Sequence, residues 1–160
     1  MFEKRKAKAL LSPLFDIADD LYQDITDVER IPMASTFDTE DAVIALAWIL
    51  CESFGSNKKL GVEIAKQGVL QTNRVNKVMR GGVEQVLTGV QSAYEKYKTA
   101  LTNIVVNTDN SLENSLKAYG KIRKELATVL AEIIGDVYGY EGDSVEICGE
   151  AYDRVFNLIT

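Results

Sequence analysis

The sequence predicts an all-α fold: a single antiparallel bundle of five to six helices with a buried central helix at about residues 40–54. Three observations lead there. Both prolines, Pro13 and Pro32, fall in the first fifth of the chain, so no later residue lacks the N–H that a helix needs. Apolar residues recur at intervals of three and four rather than alternating. The turn signals between apolar stretches are short, as they are between antiparallel neighbours. With 160 residues, 46% of them hydrophobic and 26% charged, the chain is one ordinary domain with material for a core.

The elements follow in order. Ser12 reads as a helix start with Pro13 at the tolerated first helical position, leaving residues 1–11 as a basic arm or short helix. Leu14, Ile17, Leu21, Ile25 and Val28 form the inward stripe of this first long helix, which ends near Arg30. Asp38 and Asp41 resemble a capping pair for the second, stopped by Gly55. Its run from Ala42 to Cys51 is apolar on every face, so other helices must surround it, with Trp48 its largest buried group. Residues 58–67 predict a short basic helix, with Gly68 and the Gln71-Thr72-Asn73 stretch as the break after it.

A longer helix is predicted from about Thr72 to Val106, with Gly81-Gly82 able to split or kink it. Within it Val83, Leu87, Val90, Tyr94, Tyr97, Leu101 and Ile104 alternate by four and three, and Val86, Ala93 and Ala100 add a third apolar position. That seam is wide enough to predict a homodimer through the 83–104 helix. Asn110 with Glu113 fits a capping box for a helix running to about Tyr138 along Leu112, Leu116, Tyr119, Ile122, Leu126, Val129, Ile133 and Val137. Asp143 or Ser144 then caps a last helix bearing Val145, Cys148, Tyr152, Val155 and Ile159.

Charge is sorted into blocks. Residues 1–11 carry a net +3, residues 12–57 a net −9, residues 58–108 a net +5 and residues 109–160 a net −5, within an overall −6. Such local fields bear on partners more than on fold. The acidic total disfavours nucleic acid as a partner. The longest apolar run is about half of what a membrane span needs, and the basic start is followed by too short an apolar stretch for a secretory leader. A cytoplasmic protein without membrane contact is therefore expected.

The chain has no histidine, which removes the commonest general base, the Ser-His and Cys-His pairs and Cys/His zinc sites. No phosphate loop of the Gly-x-x-x-x-Gly-Lys or Gly-x-Gly-x-x-Gly kind occurs, and no cofactor is expected. Cys51 and Cys148 lie on apolar stripes outside any Cys-x-x-Cys pair and read as reduced core residues.

Two acidic stripes are the candidate site. Asp16, Asp20, Asp24 and Asp27 fall within about 80° of one another on a helix, and Asp143, Glu146, Glu150 and Asp153 do the same. Like charges one turn apart cost a helix a few tenths of a kcal/mol per pair, and neither stripe is interspersed with Lys or Arg. A solvated acidic surface is the plain explanation. The functional one is a docking face for a basic protein partner, which makes the chain a non-enzymatic binding or regulatory protein.

Two alternatives belong to other classes. Glu150-Ala151-Tyr152-Asp153 has a Glu-x-x-Asp spacing that resembles the Mg²⁺-holding unit of all-α nucleoside triphosphate pyrophosphohydrolases. Their Glu-x-x-Glu unit is missing, and Asp16-Ile17-Ala18-Asp19-Asp20 is a rough substitute, so the resemblance does not assign the chain to that family. It would make Glu150, Asp153, Asp16 and Asp20 metal ligands. In the basic 58–80 segment, Ala65, Val75 and Val78 have helix-turn-helix intervals, with Arg74, Asn76, Lys77 and Arg80 able to reach phosphates or bases. The glycine of such a turn falls one residue early, at 68.

Overall fold

In a computed structural model, residues 2–29, 36–53, 57–71, 81–103, 112–135 and 143–160 are described. They form six packed helices and no strand: α1 (Phe2–Glu29), α2 (Thr36–Ser53), α3 (Lys58–Gln71), α4 (Val83–Thr102), α5 (Leu112–Gly135) and α6 (Asp143–Ile159). The predicted all-α bundle is the observed one.

α2 is the enclosed helix. It touches each of the other five, and Ala42 to Cys51 are buried except Trp48. The helix begins at Thr36, so Asp38 and Asp41 lie inside its first turns rather than capping it, and Asp41 is itself buried. Trp48 is only partly covered, contrary to expectation; the largest fully buried side chains include Tyr97 and Tyr152. The indole lies at a shared edge, stacked on Tyr94 of α4 at 3.9 Å between ring centroids and donating Nε1–H to Glu52 at 3.2 Å.

α1 corrects the sequence reading most. It runs unbroken from Phe2 through Pro13, so Ser12 starts no helix and residues 2–11 are no loose arm. An interior proline deletes one backbone bond and crowds the carbonyl four residues back, at a cost of about 3 kcal/mol. Burial on both sides offsets that cost: Ala7, Leu11, Leu14, Ala18, Leu21 and Ile25 are all buried. Their spacing of four, three, four, three and four is one seam that crosses the proline without a change of phase.

α3 likewise runs through Gly68, one of the two expected break points, and ends at Gln71, where the other begins. A Cβ at Gly68 would come 2.8 Å from Ile44 Cδ1, and one at Gly61 would come 2.9 Å from the Trp48 carbonyl. The two glycines, two turns apart, bring α3 against α2. Asn57 caps α3, its Oδ1 accepting the Leu60 N–H at 3.0 Å.

Before α4, Gly81 and Gly82 adopt φ of +86° and +110°, a region that L side chains rarely enter, so the chain turns there and α4 starts at Val83. The expected stretch 72–80 lies outside the described residues. Within α4 the buried stripe is Val86, Val90, Ala93, Tyr94 and Tyr97, while Val83 is exposed and Leu87 and Leu101 are half-buried. The bundle therefore covers much of the wide seam itself, and Tyr97 donates its hydroxyl hydrogen to the Ala42 carbonyl at 3.0 Å.

α5 buries Ile122, Leu126, Ala127, Leu130, Ala131 and Ile134, whereas Val129 and Ile133 of the expected stripe are half-buried. The Asn110 cap and the turns at 107–110 and 139–142 lie outside the described residues. α6 buries Val145, Cys148, Tyr152, Val155 and Ile159 as expected. Both cysteines are free and buried, and burial pushes the thiols up, Cys51 to about 11 and Cys148 to about 12. No described helix is long and apolar enough to cross a membrane.

Candidate acidic interaction face

The two acidic stripes sit on α1 and α6, which pack against each other. Arg154 Nη1 donates to Asp20 Oδ2 at 3.0 Å, and one turn away Asp16 shares a shallow hollow with Asn157 and Leu158. Descending one turn of α1 thus ascends one turn of α6: the helices are antiparallel. Continuing that register sets Asp24 level with Glu150 and residue 28 level with Glu146. Acidic residues from the first and the last helix thus become parts of one face.

On this face Asp16, Asp19, Asp20 and Asp24 of α1 and Glu146 and Glu150 of α6 are exposed. Asp27 lies on α1 and Asp143 on α6, and their side chains lie outside the described ones. Among the described residues Asp16, Asp24, Glu146 and Glu150 make no ion pair. The absence of a base within either stripe is corrected at one point, because tertiary packing supplies Arg154 to Asp20; both side chains remain at least half exposed, 50% and 60%.

Asp153 is different. It turns toward α5, where Arg123 donates Nε–H to Oδ1 at 2.8 Å and Nη2–H to Oδ2 at 3.0 Å, and Tyr119 donates its hydroxyl to Oδ1 at 3.0 Å. The hydrogen bond to Asp153 holds the Arg123 guanidinium above its ordinary pKa; burial, then the bond to Asp153, raises the Tyr119 phenol. Gly149 leaves room for this arrangement, since a Cβ there would come 2.8 Å from Arg123 Nη2. Tyr152, pushed up by burial, packs behind the network, and its hydroxyl has no hydrogen-bond partner among the described residues.

Sequence reasoning missed this network. Its signal was the Tyr119–Arg123 pair one turn apart, with Gly149 and Asp153 one turn apart on the facing helix.

The rival sites fare unevenly. Among the described residues no group of three or more Cys, Asp or Glu side chains is arranged to hold a metal ion. Asp16 and Asp20 lie on the same face as Glu150, but a cation at Asp153 would first have to displace a two-point guanidinium. The helix-turn-helix reading loses its turn at Gly68, which is packed against Ile44 inside α3. Arg74, Asn76, Lys77 and Arg80 lie outside the described residues. No family model, curated protein or solved structure matches the chain.

Proposed function

We propose that this protein is a non-enzymatic binding or regulatory module that engages a basic protein partner through the joined acidic face of α1 and α6. The observation that carries the reading is the antiparallel register fixed by Asp20–Arg154, which brings Asp16 and Asp24 onto one surface with Glu146 and Glu150. Charges so gathered attract a complementary surface, raise its association rate and select against acidic partners.

A second point supports it. α1 carries Lys4, Arg5, Lys6 and Lys8 in its first turns and Asp24, Asp27 and Glu29 in its last. The helix macrodipole favours the opposite order, by about 0.3–1 kcal/mol per terminal charge. Helix stability alone thus gives no reason for this arrangement, whereas a docking face does.

The test is capture by the immobilised chain from a mixture of basic proteins at physiological ionic strength. The triple variant Asp16→Lys, Asp24→Lys, Glu150→Lys should lose at least tenfold in capture while melting within a few degrees of wild type. Unchanged capture by a folded triple variant contradicts the proposal.

A further inference from the structure

The two basic blocks, separate in the sequence, also meet. Lys4 of α1 and Lys58, Lys59 and Lys66 of α3 line one hollow of about 430 Å³ with Val62. A second hollow, of about 410 Å³, adjoins it: Lys4 and Lys66 line both, and the second is floored by Val69, Leu70, Val83 and Leu87. Glu3 and Glu63 also stand on these walls, outnumbered by the lysines.

Four large hydrophobic side chains are exposed among the described residues, and three of them, Val62 (36%), Leu70 (52%) and Val83 (39%), line this pair of hollows. Lys58 and Lys59 occupy the first turn of α3, where the positive end of the macrodipole adds to their field instead of offsetting it.

We infer that these hollows form a second docking groove, whose occupant is an acidic amphipathic helix of a partner protein. The lysine rim asks for carboxylates and the Leu70–Val83–Leu87 floor asks for an apolar stripe. From Lys58 to Leu70 the groove follows α3 for about 18 Å, which matches roughly three turns of a partner helix. Laying an apolar helix face into such a groove is a general mode of peptide recognition.

Other occupants fit less well. A lipid surface is flat, whereas these are hollows. A phosphate backbone gains nothing from the apolar floor. A second copy of this chain offers its α1–α6 acidic face, whose apolar residues are already turned into its own core.

The test uses the full chain and a fluorescently labelled three-turn synthetic helix with leucines at i, i+3, i+4 and i+7 and glutamates elsewhere. A scrambled peptide of the same composition, a DNA duplex and phosphatidylserine-containing vesicles serve as competitors. Saturable binding is expected, at least tenfold tighter than for the scrambled peptide and weakened by salt. The double variant Lys58→Glu, Lys66→Glu should lose at least tenfold, and Leu70→Ser several-fold. Asp24→Lys on the opposite-signed face should leave binding unchanged.

The inference is overturned if the patterned peptide does not saturate, if the scrambled one binds equally, or if the folded Lys58/Lys66 variant binds as wild type does. It is overturned as well if DNA or vesicles compete at lower concentration than the unlabelled peptide, or if light scattering shows a dimer that Leu70→Ser dissolves. Circular dichroism melts of each variant establish that it is folded.

Discussion

Asp153 shows how much a single carboxylate's meaning depends on its neighbours. In the sequence it closes an acidic stripe; in the fold it is the anchor between α5 and α6, held by Arg123 and Tyr119. Replacing it by alanine strands a guanidinium at 35% exposure, beside a site that had been 40% exposed. With solvent screening at that exposure, the cost should be about 1 kcal/mol, or about 2–4 °C in melting temperature for a chain of this size. Asp16→Asn, on the open face, should stay within about 0.5 kcal/mol of wild type. Urea titrations of the two variants check this, and equal effects would contradict the distinction between an anchoring and a docking carboxylate.

The buried thiols make a second residue-level prediction. Their pKa values are raised, to about 11 for Cys51 and about 12 for Cys148, so the folded chain keeps protons that the unfolded chain loses. Stability is unaffected below the ordinary thiol value of about 8.5 and falls as pH rises above it, by up to about 1.4 kcal/mol per pH unit for each thiol. Tyr97 and Tyr152, also pushed up by burial, act in the same direction. The urea midpoint, followed by Trp48 fluorescence, should be lower at pH 10 than at pH 8. A flat profile would mean that neither thiol is enclosed.

At the level of the element, α1 separates two rules that disagree. The Ser12-Pro13 pair reads locally as a start, yet the seam from Ala7 to Ile25 keeps one phase across it. Periodicity wins because six buried side chains outweigh one missing hydrogen bond. Pro13→Ala should therefore stabilise the protein by about 1–2 kcal/mol, the restored helix bond being partly offset by a freer unfolded chain. A neutral or destabilising result in a thermal melt would restore Pro13 to a helix N-terminus.

Gly68 misled the sequence reading for a related reason. Glycine marks a break only when nothing packs on it, and the presence of Ile44 there is a tertiary fact. By contrast, α2 and α6 were legible because an all-apolar run and a strong stripe each admit one placement in a bundle. Trp48 shows the limit of that logic, since the sequence marked its helix as buried but not the edge that the indole occupies.

Across the described residues, charges distant in the chain come together: Asp20 of α1 pairs with Arg154 of α6, and Lys4 of α1 lines a hollow with Lys58, Lys59 and Lys66 of α3. The sequence contained both acidic stripes and both basic segments, and helical periodicity placed each stripe on its own helix. Which helices lie side by side depends on the packing of α1 against α3 and α6, and no local signal encodes it. That packing sets Asp16 and Asp20 beside Arg154, and it gathers Lys4, Lys58 and Lys66 around one hollow. Exposed charges separated by more than about 8 Å are largely screened at physiological salt, so gathering them matters more than their number.

The most direct measurement is zero-length carbodiimide coupling of the chain to a basic protein that it captures, with mass spectrometry to locate the joined residues. The reagent links a carboxylate only to an amine already touching it. The account predicts links from Asp16, Asp24, Glu146 and Glu150 to lysines of the partner. Links confined to other carboxylates, such as Glu84 or Glu95 of α4, would contradict it.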